Sequence, residues 1–383
     1  MINFKHIYWR IQSKFYKSCG TLLQWLPVKR NKIVFVNFYG KGYGDSPKYI
    51  ADEILGRGVP VDIIWLVSDM KMQFPANVRK VNLLSVRASY ELSTAKIIIS
   101  NVKVGLPYKK KRCQYYVQTW HGSMAFKDIE KDAMDKLNPN YVRESIADSK
   151  MIDLFLSCNS IQTQEIQNSF WYDGDIFECG SPRNDMLFRN DNVKYSLKQR
   201  IGIDANSHVA LYAPTHRDDF RTDVYQLDLE DICCHLATRF GGQWVMLVRL
   251  HPNVMGDSPI IYSNFVINVT AYPDMQELLF IADVLITDYS STIYDMAIMH
   301  KLMLLYAPDL DDYRQNRGLK PLYFDLPTQI CQTQVELCNY IDELNTDDYY
   351  NRLQRFLDGF RVFDDGYASQ RVVDHLLTII NKP

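Results

Sequence analysis

A chain of 383 residues, 47% of them hydrophobic, is long enough for two domains with a core each, and its net charge of −2 gives no global reason to expect nucleic acid. Its eight cysteines (Cys19, Cys113, Cys158, Cys179, Cys233, Cys234, Cys331 and Cys338) show no CxxC spacing, which leaves zinc-ribbon and thioredoxin-type motifs unsupported and reads as reduced, cytosolic thiols. No apolar run approaches the roughly 18–20 residues that cross a bilayer, and no signal peptide is visible.

Residues 1–32 differ from the rest. They carry Lys5, Arg10, Lys14, Lys17, Lys29, Arg30 and Lys32, and no acid precedes Asp45. Ile7, Tyr8, Ile11, Phe15 and Cys19 keep helical spacing, and Trp9 and Trp25 add amphipathic rings. This pattern fits an interfacial helix on anionic lipid, and equally a helix docked on the protein's own surface.

From Ile33 apolar strand-like runs alternate with helix-like or loop segments. The first series is 33–38, 61–67, 96–100, 115–119, 152–157 and 175–179; the second is 208–213, 244–250, 264–269, 283–287 and 302–306. Alternating βα units with buried strands imply parallel sheets covered by helices, so the sequence predicts an α/β chain with two doubly wound, Rossmann-like domains. The expected boundaries are a basic segment at 1–32, a first domain at 33–190, a second at 191–365 and a terminal helix at 366–383, with the polar stretch 184–200 as the junction.

Ligands bind beyond the C-terminal ends of strands in such sheets, and that is where the polar clusters fall. The first strand leads into FYGKGYGDSPKY. Its glycines do not form GxGxxG, so Gly40, Gly42 and Tyr43 read as a loop admitting a bulky acceptor rather than a dinucleotide. Trp120, His121 and Gly122 follow the strand at 115–119; an imidazole there is either a general base or a hydrogen-bonded core histidine, and Gly122 allows close backbone approach. GSPRND follows 175–179. In the second half, Thr215, His216 and Arg217 follow 208–213, either as ligand contacts or as a pair that Asp218 and Asp219 neutralise, while Arg249 lies near the end of 244–250 and His251 follows it, where a cation beside a histidine suits a diphosphate.

The stretch 283–295, DVLITDYSSTIYD, turns from strand to helix through Asp288, Ser290, Ser291 and Thr292, a junction that serves either as a helix cap or as an anion site. Asp295 lies one turn on, where a carboxylate accepts hydrogen bonds from a polyol. Arg314 and Arg317 in DLDDYRQNRG are candidate clamps for donor phosphates, and a solvated charged loop is the competing account. GxxxxGK[ST], HExxH and GxSxG are all missing, and no acidic cluster has ligand spacing that calls for a metal or cofactor.

Together these motifs resemble the CDP-glycerol glycerophosphotransferase family, the primases and polymerases of teichoic acid and related capsule synthesis. NFYGKGYGDSPKYI, VQTWHGS, CGSPRND, YAPTHRD, LVRLHPN, DVLITDYSSTIYD, DLDDYRQNRG and DDGYASQRVV run in the family's order over roughly residues 33–375. The resemblance implies a GT-B-like fold with acceptor held by the first half and CDP-glycerol by the second. It also implies a peripheral protein on the cytoplasmic membrane face, since the family's acceptor is a polyprenyl-diphosphate-linked saccharide or its growing polymer. His121 matches the family's acceptor base and His251 the histidine associated with the donor diphosphate; Ser290, Ser291, Thr292 and Asp295 match its donor-binding turn. Ser123-Met124 stands where Thr-Pro is frequent, and His216 where Trp is frequent. CDP-ribitol as donor, an NDP-sugar glycosyltransferase of the same fold and a membrane scaffold are the alternatives.

Overall fold

The computed structural model describes residues 23, 25–104, 109–217, 221–250 and 260–382. Among these, thirteen strands form two wholly parallel sheets. The first holds β1 (Lys29–Val36), β2 (Asp62–Val67), β3 (Val78–Asn82), β4 (Ala95–Ser100), β5 (Tyr115–Gln118), β6 (Leu154–Ser157) and β7 (Asp175–Glu178), in the order β3-β2-β1-β4-β5-β6-β7. The second holds β8 (His208–Tyr212), β9 (Trp244–Val248), β10 (Val266–Asn268), β11 (Val284–Thr287), β12 (Leu302–Tyr306) and β13 (Ile330–Cys331), in the order β10-β9-β8-β11-β12-β13.

Runs such as Ile33–Val36, Ile97–Ile99 and Val284–Ile286 are buried on both faces, as parallel strands covered by helices must be. The two strands that the sequence reading lacks, β3 and β13, are both sheet edges. In β3 only Val78 and Val81 are buried and Arg79 interrupts the run; β13 is two residues long. Neither carries a continuous apolar signal.

Strand order reverses between β1 and β4 in one sheet and between β8 and β11 in the other. Such reversals open a crevice beyond the strand ends. The two crevices face each other and are joined by an apolar seam in which Tyr49, Met124 and Phe126 pack with second-half residues. The chain then returns: Val372, Val373, Leu376 and Ile379 of the helix Ala368–Asn381 enter the core of the first sheet beside Ile33 and Ile50.

β1 begins at Lys29, so three basic residues assigned to the segment 1–32 belong to the sheet. Lys32 is 1% exposed, paired with Glu91 and bonded to Thr94 Oγ1 at 2.8 Å. The rest of that segment, residues 1–22 and 24, lies outside the described residues. Among those described, no helix is long and apolar enough to cross a membrane.

Candidate active site

His121 follows β5 and sits half-buried under Trp120, whose ring centroid is 4.2 Å away. Its Nδ1 lies 2.8 Å from the carbonyl oxygen of Asn101, just past β4. A carbonyl only accepts, so Nδ1 carries the hydrogen and Nε2 keeps the lone pair in the neutral ring. Asn101 is itself fixed, donating Nδ2–H to Asn37 Oδ1 at 2.8 Å and accepting from the Phe38 backbone at 2.9 Å. The first crevice thus fixes this imidazole from the ends of β1, β4 and β5. Burial pushes the imidazole below its ordinary value, partly offset by the Asn101 bond and by Asp45, so the ring is neutral at pH 7.

The GSPRND loop after β7 supplies Arg183, which sequence reasoning quoted in its motif without assigning. Its Nη1 donates to the His121 carbonyl at 2.8 Å and pairs with Asp45 at 3.2 Å; Nη2 donates to Ser123 Oγ at 2.8 Å and to Asp295 at 3.2 Å. Asp45 holds a left-handed φ of +54° and Trp120 one of +53°. Non-glycine residues adopt that conformation only where their surroundings enforce it.

The WHG and DYSS turns meet directly. A Cβ added to Gly122 would lie 3.3 Å from Ser291 Oγ, so glycine is what lets the loop bearing His121 pass against the second half. Ser291 stands at the start of the helix Thr292–Ala297, yet its side chain makes no capping bond. Ser290 Oγ accepts from Thr292 Oγ1 at 2.9 Å, and Ser290, Ser291 and Thr292 are all half-buried at this junction. Nearby, the Thr215 backbone N–H donates to Asp288 Oδ1 at 2.8 Å, tying the ends of β8 and β11, while Thr215 Oγ1 is buried without a partner among the described residues.

Arg249, just past β9, has a buried Nη1 that finds no partner among the described residues. Burial pushes its guanidinium below the ordinary value, Asp274 only partly offsetting it. A buried guanidinium nitrogen without a partner is a group that an anionic ligand could complete.

Residues 20–378 match the family described as CDP-Glycerol:Poly(glycerophosphate) glycerophosphotransferase. The chain belongs to this family. Among its glycerophosphotransferase relatives, the teichoic acid glycerol-phosphate transferase of Staphylococcus aureus is 33% identical over 92% of this chain and 94% of its own. The teichoic acid poly(glycerol phosphate) polymerase of Bacillus subtilis is 29% identical over 95% of this chain but 51% of its own; the chain spans about half the length of such curated polymerases. A solved structure of the wall teichoic acid polymerase TagF, a histidine variant soaked with CDPG, superimposes with a TM-score of 0.85 at 31% identity, covering 98% of this chain and 96% of that one. The two-sheet architecture of this glycerophosphotransferase-family chain is GT-B-like.

Several residues expected to touch ligand do other work in it. Asp295 is fully buried, and its oxygens accept from Ser123, Arg183, Asn184 and Gln276, so it joins the two halves and leaves no oxygen for a polyol. Asp288 and Arg217 pair at 2.9 Å, and Arg217 also grips Asp309 at 2.6 and 2.9 Å; both are buried and hold the loop after β8 to the turn after β11. Asp218 and Asp219, the acids that follow Arg217 in the chain, lie outside the described residues. Tyr43 donates to Asp52 at 2.6 Å and packs on Trp65 and Phe74, away from an acceptor role. Gly40 serves a close approach to Ser68, whose N would be 2.6 Å from an added Cβ, while Gly42 faces open space. Arg314 is exposed over the Phe324 ring, Arg317 is half-buried later on the same helix, and His216 is half-buried beside Thr215. His251 lies outside the described residues.

At the start of the stretch 184–200 expected to join the domains, Asn184 and Asp185 are buried and form, with Arg183 just before them, a hub between the halves, whereas residues 188–192 are exposed. Asp364 of DDGYAS joins them, accepting from the Ser181 backbone at 2.7 Å and from Tyr294 at 2.8 Å, and burial pushes its carboxyl up to about 7.

Proposed function

We propose that this chain transfers glycerol phosphate from CDP-glycerol to a hydroxyl of a polyprenyl-diphosphate-linked saccharide or its growing polymer, releasing CMP, at the cytoplasmic face of the membrane in teichoic acid synthesis. The observation that carries the reading is His121: its Nδ1 is anchored to the Asn101 carbonyl, and Gly122 beside it lies against Ser291 of the other half. An acceptor entering the first crevice meets a neutral base whose lone pair is on Nε2, next to the turn assigned to the donor.

In the proposed step the acceptor oxygen attacks the β-phosphorus of CDP-glycerol, and Nε2 of His121 takes its proton. A new ester O–P bond forms, the bridging O–P bond of the diphosphate breaks, and the electron pair leaves on CMP. Negative charge on the phosphates falls to Arg249 and to the hydroxyls of Ser290, Ser291 and Thr292. His251 is given its place beside the donor diphosphate by the motif alone. Family membership and the TagF likeness support the reaction class; the acceptor and the membrane site rest on the family's chemistry.

The test is to incubate the full chain with CDP-glycerol, and separately CDP-ribitol, in the presence of lipid-linked acceptors and to weigh the products. A mass gain of one or more glycerol phosphates with CMP release is expected. Release of a nucleoside diphosphate from an NDP-sugar, with no CMP from either alditol donor, would overturn the reading.

A further inference from the structure

On the helical face of the second sheet, the helices Leu229–Phe240 and Gln334–Glu343 pack against each other. Each contributes two polar residues one turn apart: Asp231 and His235 from the first, Cys338 and Asp342 from the second. One ligand atom each from Asp231, His235 and Cys338 lies within 4.8 Å of the others. His235 Nε2 is 3.8 Å from Asp231 Oδ1, and Cys338 Sγ is 3.8 Å from Asp231 Oδ2. Ligands held about 2.0–2.3 Å from a tetrahedral ion stand roughly 3.4–3.7 Å apart, so small rotamer shifts bring these three to one centre.

The fourth residue orients the set. His235 Nδ1 is 2.9 Å from both oxygens of Asp342. A carboxylate on Nδ1–H fixes the tautomer that turns an Nε2 lone pair toward Asp231 and Cys338, the arrangement that supports metal-bound histidines. Gln334 Nε2 donates to Asp231 at 2.9 Å and steadies the other carboxylate. A cavity of about 420 Å³, lined by Cys234, His235, Thr238, Arg239 and Asp342, shares His235 with the cluster.

We infer that Asp231, His235 and Cys338 form a binding site for a zinc-class divalent ion, with Asp342 as the group that positions His235. Sulfur and imidazole together select zinc, cobalt or nickel over magnesium and calcium, whose sites are built from oxygen. The site clips two helices that otherwise meet on the surface. It uses none of the strand-end loops of the active site. The competing account is a surface ion pair of His235 with its two aspartates, which binds no metal.

The experiment titrates the full chain, freed of metal by chelator, with Co²⁺ and then Zn²⁺, in a Cys113→Ser background that removes an exposed thiol distant in sequence. One equivalent of Co²⁺ is expected to give a thiolate-to-cobalt charge-transfer band and the visible bands of tetrahedral cobalt, and Zn²⁺ to displace it and raise Tm. Cys338→Ser abolishes the charge-transfer band. Asp231→Asn and His235→Gln raise Kd at least about 10-fold, and Asp342→Asn about 10- to 100-fold, all with unchanged glycerophosphotransfer. Asp231 is exposed, so its variant keeps the test alive even where Cys338→Ser fails to fold. An octahedral spectrum without a thiolate band, unaltered titration of Asp231→Asn, or loss of the band in Cys234→Ser instead of Cys338→Ser would overturn the assignment.

Discussion

Arg183 Nη2 lies 3.2 Å from Asp295 Oδ2, although 112 residues separate them and they belong to opposite halves of the molecule. Both side chains are buried, and Ser123 bridges them by accepting from Arg183 and donating to Asp295, each at 2.8 Å. A buried pair of this kind fixes relative position more than it adds stability, because desolvating two charges offsets most of their attraction. Its consequence here is that the loop bearing His121 and the turn bearing Ser291 are held in register by one shared ion pair.

Removing one partner leaves the other charge buried and uncompensated. Asp295→Ala should therefore destabilise the protein by about 3–5 kcal/mol, seen as a lower urea midpoint, and should abolish turnover. Asp295→Asn keeps the shape and one acceptor oxygen but turns an amide NH2 group toward donors and leaves Arg183 without its counter-charge, so it should recover little of the stability and little activity. A urea midpoint within error of the parent for Asp295→Ala would remove the pair from this role.

His121→Ala should lower kcat by about 10²–10⁴ with donor affinity nearly unchanged, because the base acts on the acceptor hydroxyl. The pH profile carries a sharper expectation. The neutral ring is the active form and burial moves its titration below 6.5, so kcat/KM should rise with pH and level off before the ordinary histidine range ends. An acid limb centred above 6.5, or near-normal turnover in the alanine variant, contradicts the assignment.

On the proposed reaction, Arg249 is the ligand-facing cation and Arg217 a structural one. Arg249→Ala removes a buried guanidinium with an unpartnered Nη1, and should weaken CDP-glycerol binding by about 10- to 100-fold, the worth of a hydrogen bond to a charged group. Calorimetry on the folded variant reads this directly. Arg217→Ala strands Asp288 and Asp309 and should instead show as a loss of Tm. Equal donor affinity in parent and Arg249→Ala would return that arginine to a packing role.

The strand-end logic carried far because a parallel sheet writes itself as repeated apolar runs and forces its polar clusters to one end. FYGKGYGD, WHGS, GSPRND and DYSST meet in space through Asp45, His121, Arg183, Ser123 and Asp295. Sequence patterns do not tell which polar side chain at a strand end faces ligand and which is spent on protein. Asp295, Asp288 and Arg217 looked like donor contacts because charge and position are legible, while their partners Arg183, Gln276 and Asp309 are remote in the chain. Arg183 itself was visible only as one letter of GSPRND. The Asp231, His235 and Cys338 cluster escaped for the same reason: its pairs repeat at helical spacing, but nothing in either helix announces the other.

The segment before β1 offers the last test. Because Lys29, Arg30 and Lys32 are part of β1, and Lys111 Nζ donates to the Leu26 carbonyl at 2.6 Å, a cut that spares the fold must fall no later than residue 22. The removed piece carries Lys5, Arg10, Lys14 and Lys17 with the periodic apolar residues Ile7, Ile11 and Phe15. If it lies on anionic lipid, each basic residue adds about 1 kcal/mol near the surface and the apolar face adds a salt-independent share. The full chain should then pellet with anionic vesicles, and high salt should weaken that attachment without eliminating it. The truncated chain should stay in the supernatant, keep turnover on a soluble acceptor analogue, and lose it on a lipid-linked acceptor. Equal co-sedimentation of the two chains would assign the segment to packing on its own domain, and loss of activity on the soluble analogue would show that it supports the fold.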